Sequence, residues 1–451
     1  MNNFLTDNPY WEAQTDSLSF MYSILMFIGV LAVIIASTVK LVIKKVPLKD
    51  FMNSIYIIIP TGVMGGSIFG KLGTGVPIYQ IFYIWEPGMS IFGALVCGVT
   101  GGFAWLYSRR TVTKISMWVY ADAMLPNVLL GQSIGRWGNL FNHEILGKDT
   151  DITKWQWLPD WVWQRFFYFY NPETGEAYTS IVYKQPLFLI ESMLTLTSWV
   201  LITFVIANLG KWFSKKPWKV NPNKYPVKIA LPFEDIITSE TYVELKYKKL
   251  TNQNGVEVYK FSKQQAWLKA YFAYEAPVKE AELLQNKIDT HKGMWLMDVE
   301  KRKNIKFKLN NEIEKLKLRL KNNKISKEEY KLKVKELKKE AKTELKPIKA
   351  SSFKNFMTLD SKELYKLNNP ENYFVIHSGV LASCYVIIYS IIRIILDSFR
   401  TRYELAFKWH PALNYMSLTG ILILGILLLV CAQFVAPKKW REEGWLYEKS
   451  Y

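Results

Sequence analysis

Two arginines sit in stretches of sequence otherwise apolar enough to lie inside a bilayer. Arg393 occurs in Tyr389-Ser-Ile-Ile-Arg393-Ile-Ile-Leu-Asp397-Ser-Phe-Arg400, near the end of the hydrophobic run 374–396. On a helix, Tyr389, Arg393 and Asp397 fall at i, i+4 and i+8 on one side, with Arg400 three residues further round. Arg136 occurs in Gly131-Gln-Ser-Ile-Gly135-Arg136-Trp137-Gly138-Asn139-Leu-Phe-Asn142-His143-Glu144-Ile-Leu-Gly147. A guanidinium in a span is costly and persists where it is paired or faces a polar cavity, so each marks a functional site by default. The structural alternative is an arginine snorkelling to headgroups. Two such groups at one depth, each followed by a carboxylate (Glu144, Asp397), outline a site for an anionic headgroup, because the planar guanidinium fork suits a phosphodiester. Gly135 and Gly138 allow the backbone to approach closely, and Asn139 and Asn142 can donate to phosphate or glycerol oxygens.

The elements that must hold these residues are membrane spans. Half of the 451 residues are hydrophobic, yet the formal charge is +19, so two compositions share one chain. Windows of roughly 17–25 apolar residues, enough to cross a bilayer, occur about seven times: near 18–39, 54–72, 90–107, 118–135, 186–209, 374–396 and 414–435. Basic residues follow every odd-numbered window: Lys40, Lys44, Lys45 and Lys49; Arg109, Arg110 and Lys114; Lys211, Lys215, Lys216 and Lys219; Lys438, Lys439 and Arg441. By the positive-inside rule the N-terminus lies outside and the C-terminus in the cytoplasm. Spans four and six then both run outward. Arg136, about 22 residues beyond Lys114, and Arg393 reach the outer leaflet together at ~1.5 Å per residue.

The expected fold is an all-α polytopic membrane protein with about seven transmembrane helices. Residues 1–210 hold spans one to five and an outer head loop, 137–184. Residues 211–372 form a basic cytoplasmic insert, 373–437 hold spans six and seven, and 438–451 are a cytoplasmic tail. The outer loop is rich in rings (Trp155, Trp157, Trp161, Trp163, Phe166, Phe167, Tyr168, Tyr170), which suits a segment at headgroup level or a small packed extracytoplasmic subdomain. The insert carries about 37 Lys/Arg against about 21 Asp/Glu. Its first part, 225–261, reads as a few strands. The rest, from about 264 to 347, reads as a charged antiparallel helical hairpin broken at Asn322-Asn323. Its charge suits anionic lipid, RNA or a cytosolic partner, against the simpler reading of a solvated lysine-rich surface; no aromatic-glycine pattern of an RNA-binding sheet is present. The N-terminal stretch lacks a basic start and its first span is too long for the apolar core of a cleavable signal. Cys97, Cys384 and Cys431 lie in apolar spans as small core residues, and acidic residues occur singly, so neither a metal nor an organic cofactor is expected.

The motif Gly135-Arg136-x-Gly138-Asn139-x-x-Asn142-x-Glu144-x-x-Gly147 resembles the signature of the prolipoprotein diacylglyceryl transferase family. Tyr389-x-x-x-Arg393-x-x-x-Asp397-x-x-Arg400 resembles its second motif, with Asp397 where Glu is usual. Asp122 matches an aspartate on the same span as Arg136, and Tyr22 a first-span tyrosine. Pro186 and Glu191 resemble a His-Pro-x-x-x-x-Glu motif, with Gln185 in the histidine position. The chain departs from the pattern at Phe92, which occupies the place of a span-three histidine, and at Ser67, where arginine is common. The insert has no counterpart in the resemblance.

The resemblance implies an enzyme that moves diacylglycerol from phosphatidylglycerol onto the lipobox cysteine of a precursor lipoprotein, forming a thioether and releasing glycerol phosphate. Arg136 and Arg393 would stabilise the leaving phosphate, Asn139 would position the headgroup, and Asp122, Glu144 and Asp397 would orient the arginines. Tyr22, Asn142, Gly147, Glu191, Tyr389 and Arg400 would complete the substrate site. With Phe92 replacing the histidine, the thiol's proton acceptor is open. A positive cavity could remove the need for one, Glu144 or Glu191 could serve, or His143 could substitute. The expected partners are phosphatidylglycerol, precursor lipoproteins and membrane lipids in a bacterial cytoplasmic membrane; no nucleic acid is expected, and the insert's partner is open. The rival readings are a catalytically impaired lipid-binding or transport protein, and a scaffold docking cytosolic partners through the insert.

Overall fold

A computed structural model describes residues 8–12, 16–44, 46–72, 77–83, 91–113, 115–171, 174–232, 248–272, 278–323, 325–348, 371–400, 402, 405, 410–439 and 449–450. The chain divides into two units. The first comprises residues 1–274, 373–433 and 442–451, and the second 275–372 and 434–441.

The first unit is a bundle of α1 (Met21–Ile43), α2 (Leu48–Lys71), α3 (Ile91–Thr113), α4 (Met117–Arg136) and α5 (Leu187–Val200). It is completed by α8 (Val380–Asp397) and α9 (Pro411–Val430). Among the described residues, five stretches are long and apolar enough to cross a membrane: Met21–Ile43, Leu48–Lys71, Leu187–Val220, Val380–Asp397 and Pro411–Val435. This is the pattern of a mostly helical multi-pass membrane protein. Helices α3 and α4 pack among these five and are less apolar overall. Pro186 stands just before α5 and Pro411 opens α9, where a missing N–H costs nothing. Ser116 caps α4, its hydroxyl accepting from Trp118 N at 3.4 Å.

Two features set the register of the bundle. Helices α1 and α4 cross at Gly29 and Gly131, where a Cβ built on Gly29 would lie 2.7 Å from the Gly131 carbonyl oxygen and one on Gly131 2.9 Å from that of Gly29. Only residues without a side chain permit that approach. Helix α8 starts against Asp122, whose carboxylate accepts from Gly379 N at 2.9 Å and Ala382 N at 2.8 Å. Lys40 Nζ donates to the Asp122 carbonyl oxygen at 2.7 Å, tying α1 to the same point.

The segment 137–185 folds over one end of the bundle as a small head. Its rings build a core of Val162, Trp163, Phe166, Tyr168 and Tyr183 with Phe188 of α5, while Trp157, Trp161 and Tyr170 stay exposed. The Tyr168 hydroxyl accepts from Leu146 N at 2.9 Å and donates to Leu146 O at 2.8 Å, which closes the turn after Asn142. Arg165 reaches the N-terminal segment. It pairs with buried Asp16, and its guanidinium lies 3.6 Å from the centre of the Tyr10 ring.

The segment after α5 also belongs to the first unit. Strands β1 (Leu231–Pro232), β2 (Lys248–Thr251) and β3 (Glu257–Lys260) form an antiparallel sheet in the order β1-β3-β2. Tyr225, Tyr259, Phe261 and Trp267 pack there with Tyr373 and Val375, the residues that lead into α8.

The second unit contains α6 (Val278–Lys321) and α7 (Lys327–Leu345). The chain turns between them at Asn323, which has φ 53°, and Ser326 caps α7 by accepting from Glu329 N at 3.1 Å. Among the described residues of the pair, Leu316 and Ala341 are buried. Its surface charges pair locally, as Lys315 with Glu312 at 2.7 Å and Lys333 with Glu329 at 2.6 Å, contacts worth a few tenths of a kcal/mol, about 0.2–0.5 each.

Candidate active site

Helices α4, α5 and α8 meet at a cluster of charge. Arg136 ends α4, and Glu191 lies one turn into α5. Arg393 and Asp397 occupy the last turn of α8, with Arg400 just beyond. Glu191 is the hub. Its Oε1 lies 2.8 Å from Arg136 Nη2 and 3.6 Å from Arg393 Nη1, and its Oε2 accepts from Arg400 Nη2 at 2.7 Å. Asp397 completes the network, with Oδ1 2.9 Å from Arg393 Nη2 and 3.7 Å from Arg400 Nε. Its other oxygen accepts from Asn414 Nδ2 of α9 at 3.0 Å. Three guanidiniums against two carboxylates leave one positive charge in the cluster. Both carboxylates are 1 % exposed and Arg400 4 %, whereas Arg136 and Arg393 keep 18 % and 13 %. The two arginines read from the sequence are therefore the more accessible ones, and Arg400 stands behind them.

A cavity of about 210 Å³ opens beside Arg136. Tyr22, Gln132, Asn139 and Tyr389 line it with Arg136, and Gly29, Val30, Val33 and Val128 form its apolar end. Asn139 sits in the short helix Gly138–Phe141 and donates to the Arg136 carbonyl oxygen at 3.2 Å, which fixes its side chain next to the guanidinium. A Cβ on Gly138 would lie 2.9 Å from the Tyr22 ring, so glycine there lets the tyrosine lie flat against the turn. Tyr389 stacks on Tyr385, with centroids 5.8 Å apart.

Of the site residues read from the sequence, Arg136, Asn139, Tyr22 and Tyr389 share the cavity, and Glu191, Arg393, Asp397 and Arg400 form the charge network behind it. Glu144 is exposed on the head turn, with its backbone N–H on the Asn139 carbonyl at 3.0 Å. Asn142 is half-buried on the same turn. Gly147 packs on Leu187 and donates to the Gln185 carbonyl at 2.8 Å, a structural joint between head and α5.

Two expectations are corrected in position. Asp122 does not orient the arginines. It caps the start of α8, fourteen residues before Arg136 on α4, or about 21 Å at ~1.5 Å per residue. His143 does not face the cavity either. It is buried in the head at φ 51°, its Nδ1 is 3.1 Å from the Phe167 carbonyl oxygen, and its ring lies between Phe167 and Phe169 at 4.5 and 4.6 Å. Burial pushes its pKa down from 6.5 to about 4, against the opposing pull of Asp16. The imidazole is thus neutral at physiological pH, and its surroundings are those of a core residue. Ser67 is buried and donates to the Ile81 carbonyl at 2.7 Å. The side chain of Phe92 lies outside the described residues.

The sequence reading missed Gln132 and Asn414. Asn414 carried a usable signal, being a polar side chain at the start of a strongly apolar span. The central place of Glu191 had no local signal, because its partners come from two distant segments, the end of α4 and the end of α8.

The sequence profile of the family described as prolipoprotein diacylglyceryl transferase matches residues 18–220. A phosphatidylglycerol–prolipoprotein diacylglyceryl transferase of Paenarthrobacter aurescens is 33 % identical over 168 residues, covering 34 % of this chain and 49 % of the relative. Proteins of the same name from Mycoplasmoides gallisepticum and Mycoplasmopsis pulmonis are 30 % and 28 % identical, covering 41 % and 44 % of this chain and 57 % and 64 % of those relatives. The matches therefore span about half to two thirds of the relatives' length. The matched segment holds Tyr22, Asp122, Arg136, Asn139 and Glu191, and the cavity is built largely from it, while Arg393, Asp397 and Arg400 of the charge network lie beyond it. Residues 18–220 of this chain are thus similar to the prolipoprotein diacylglyceryl transferase family.

Proposed function

We propose that this protein transfers the diacylglyceryl group of phosphatidylglycerol to the lipobox cysteine of precursor lipoproteins. The observation that carries the reading is the convergence of Arg136, Arg393 and Arg400 on Glu191 beside a cavity with an apolar end. The cysteine sulfur attacks the glycerol carbon that bears the phosphate. The carbon–sulfur bond forms as the carbon–oxygen bond breaks, and the electron pair leaves with glycerol phosphate. The thiol proton ends on that phosphate or in water. Negative charge grows on the departing oxygen, so donors already fixed around it lower the barrier most. Arg136 and Arg393 fill this role, with Asn139 and Tyr22 positioning the headgroup. Glu191 and Asp397 hold the guanidiniums in place, so little reorganisation is needed during reaction.

The membrane arrangement that goes with this reading has seven spans, α1–α5, α8 and α9, with the N-terminus outside. The arginine cluster and the head then lie at the outer leaflet of a bacterial cytoplasmic membrane, where secreted precursors arrive. A free thiol with pKa about 8.5 is only a few per cent ionised at neutral pH. Glu191 is held by three arginines and His143 is sealed in the head. A thiolate favoured by the cluster's positive charge therefore fits the site better than either as the base.

The test is to give purified protein phosphatidylglycerol and a lipobox peptide. Release of glycerol phosphate with a matching mass gain on the peptide cysteine is expected. Lipid binding without release would favour the rival reading, a lipid-binding protein, for which Phe92 in the family's histidine position is the supporting observation.

A further inference from the structure

The hairpin of α6 and α7 carries its charge unevenly. On a helix, residues three and four apart share a side. Lys331, Lys335, Lys338, Lys342 and Lys346 follow that spacing along α7 and its C-cap for about 22 Å, at ~1.5 Å per residue. Glu336, Glu340 and Glu344 recur every four residues on the opposite side. Signs that alternate along the sequence are thus sorted by the helix into a cationic face and an acidic one.

The cationic face borders a cavity. Lys338, Lys339, Lys342 and Lys346 line a space of about 560 Å³ together with Arg302 of α6. Among the described lining residues there is no carboxylate and no aromatic ring. Elsewhere on the hairpin lysines find carboxylates, as Lys315 does at Glu312 and Lys333 at Glu329. Among the described residues, the four cavity lysines form no such pair. A solvated surface of mixed sign would pair them too. Like charges gathered around one concave space instead raise the local concentration of anions.

The chemistry narrows the occupant. Lysine ammoniums and the arginine fork are the side chains that suit phosphate. A phosphate monoester packs about 1.5–2 negative charges onto one tetrahedral group, whereas an acidic peptide brings one charge per side chain. Cavities of roughly 300–1,000 Å³ hold small ligands, so clustered phosphates match both the charge and the space. Without a ring in the walls, nucleic-acid bases have no platform to stack on. We propose that the cavity between α6 and α7 binds clustered phosphates, presented either by a free polyphosphorylated solute or by acidic phospholipid headgroups. This site takes no part in the transfer reaction.

The test places the full chain in phosphatidylcholine nanodiscs and follows acetylation of each hairpin lysine by mass spectrometry. One arm adds inorganic tripolyphosphate, and a second replaces part of the lipid with cardiolipin. Ligand at about ten times its Kd is expected to slow acetylation of Lys338, Lys339, Lys342 and Lys346 about 10-fold, following 1 + [L]/Kd. Lys303 and Lys321, exposed elsewhere on α6, are expected to change little. Protection in the first arm identifies a free solute as the source, and protection in the second alone identifies the lipid. Replacing Lys338, Lys342 and Lys346 together with Gln is expected to abolish protection at Lys339, and replacing the same three with Arg to keep it. Protection in neither arm overturns the proposal. So does equal protection at Lys303 and Lys321, loss of protection in the Arg variant, or protection by single-stranded RNA without protection in either arm.

Discussion

Glu191 faces three guanidiniums from the core of the site, with its carboxylate almost wholly shielded from solvent. Taking away one partner of a buried ion pair costs about 3–5 kcal/mol, because the charge left behind is neither paired nor solvated. Glu191→Gln is therefore expected to lower the unfolding temperature in detergent and to abolish transfer, since the arginines then repel one another. Arg136→Ala and Arg393→Ala each remove one donor to the leaving group, with an expected loss of at least ~100-fold in turnover and a smaller effect on stability. Near-normal rates in either arginine variant would refute the assigned roles. His143 makes a different prediction. Its folded pKa of about 4 lies below the ordinary 6.5, so the unfolded head binds more protons between those values. Stability of the head is full above about pH 6.5 and is lost as pH falls toward about 4. His143→Gln is expected to flatten that dependence in hydrogen exchange at Phe166–Tyr168, while leaving the pH profile of transfer unchanged. A lost acid limb in the profile would restore His143 as the base.

At the level of elements, α4 and α8 run side by side with their key residues in step. Asp122 meets Gly379 near one end, and fourteen residues on in each helix Arg136 and Arg393 meet Glu191 at the other. The equal spacing makes Asp122 a register pin for the arginines. Asp122→Ala is expected to cost about 1–2 kcal/mol of stability, as loss of a helix cap does, with turnover per folded molecule reduced far less than in the arginine variants. Abolished turnover with unchanged unfolding temperature would show direct work in the site. The spans and the arginine spacing were legible in the sequence because hydropathy and the helical repeat are local properties. The turn at Asn322-Asn323 was legible for the same reason. Packing partners are not local. Asp122 reads as part of the Arg136 motif because it shares a helix with it, yet its carboxylate faces the start of α8. His143 lies inside the motif, but a left-handed turn and the Phe167–Phe169 rings carry it into the head.

Over the whole chain, the border between units falls after residue 274 rather than at the end of α5. The first part of the insert is tied to the membrane bundle by Tyr225, Phe261 and Trp267 packed on Tyr373 and Val375. The hairpin of α6 and α7 can be shortened without disturbing them. Arg302 Nη1 donates to the Ile348 carbonyl at 3.2 Å, so residues 303–347 leave from neighbouring points. Replacing 303–347 with a short Gly-Ser linker is expected to retain transfer in vitro. A deletion from 216 to 370, which also removes Tyr225, Phe261 and Trp267, is expected to lose folded protein. Loss of transfer in the shorter deletion, with folding intact by size-exclusion chromatography, would make the hairpin part of the catalytic unit.

On the proposed reaction, the odd count of charges around Glu191 and Asp397 has a bearing on how a catalytic cycle ends. A phosphodiester lipid, carrying one negative charge, brings the empty cluster to neutrality. The monoester that departs carries about 1.5–2 negative charges at neutral pH. The same five side chains that welcome the incoming lipid are then overmatched by what it becomes, and water outside solvates the surplus better than they can. Ejection of the spent headgroup is thus written into an arithmetic of three against two.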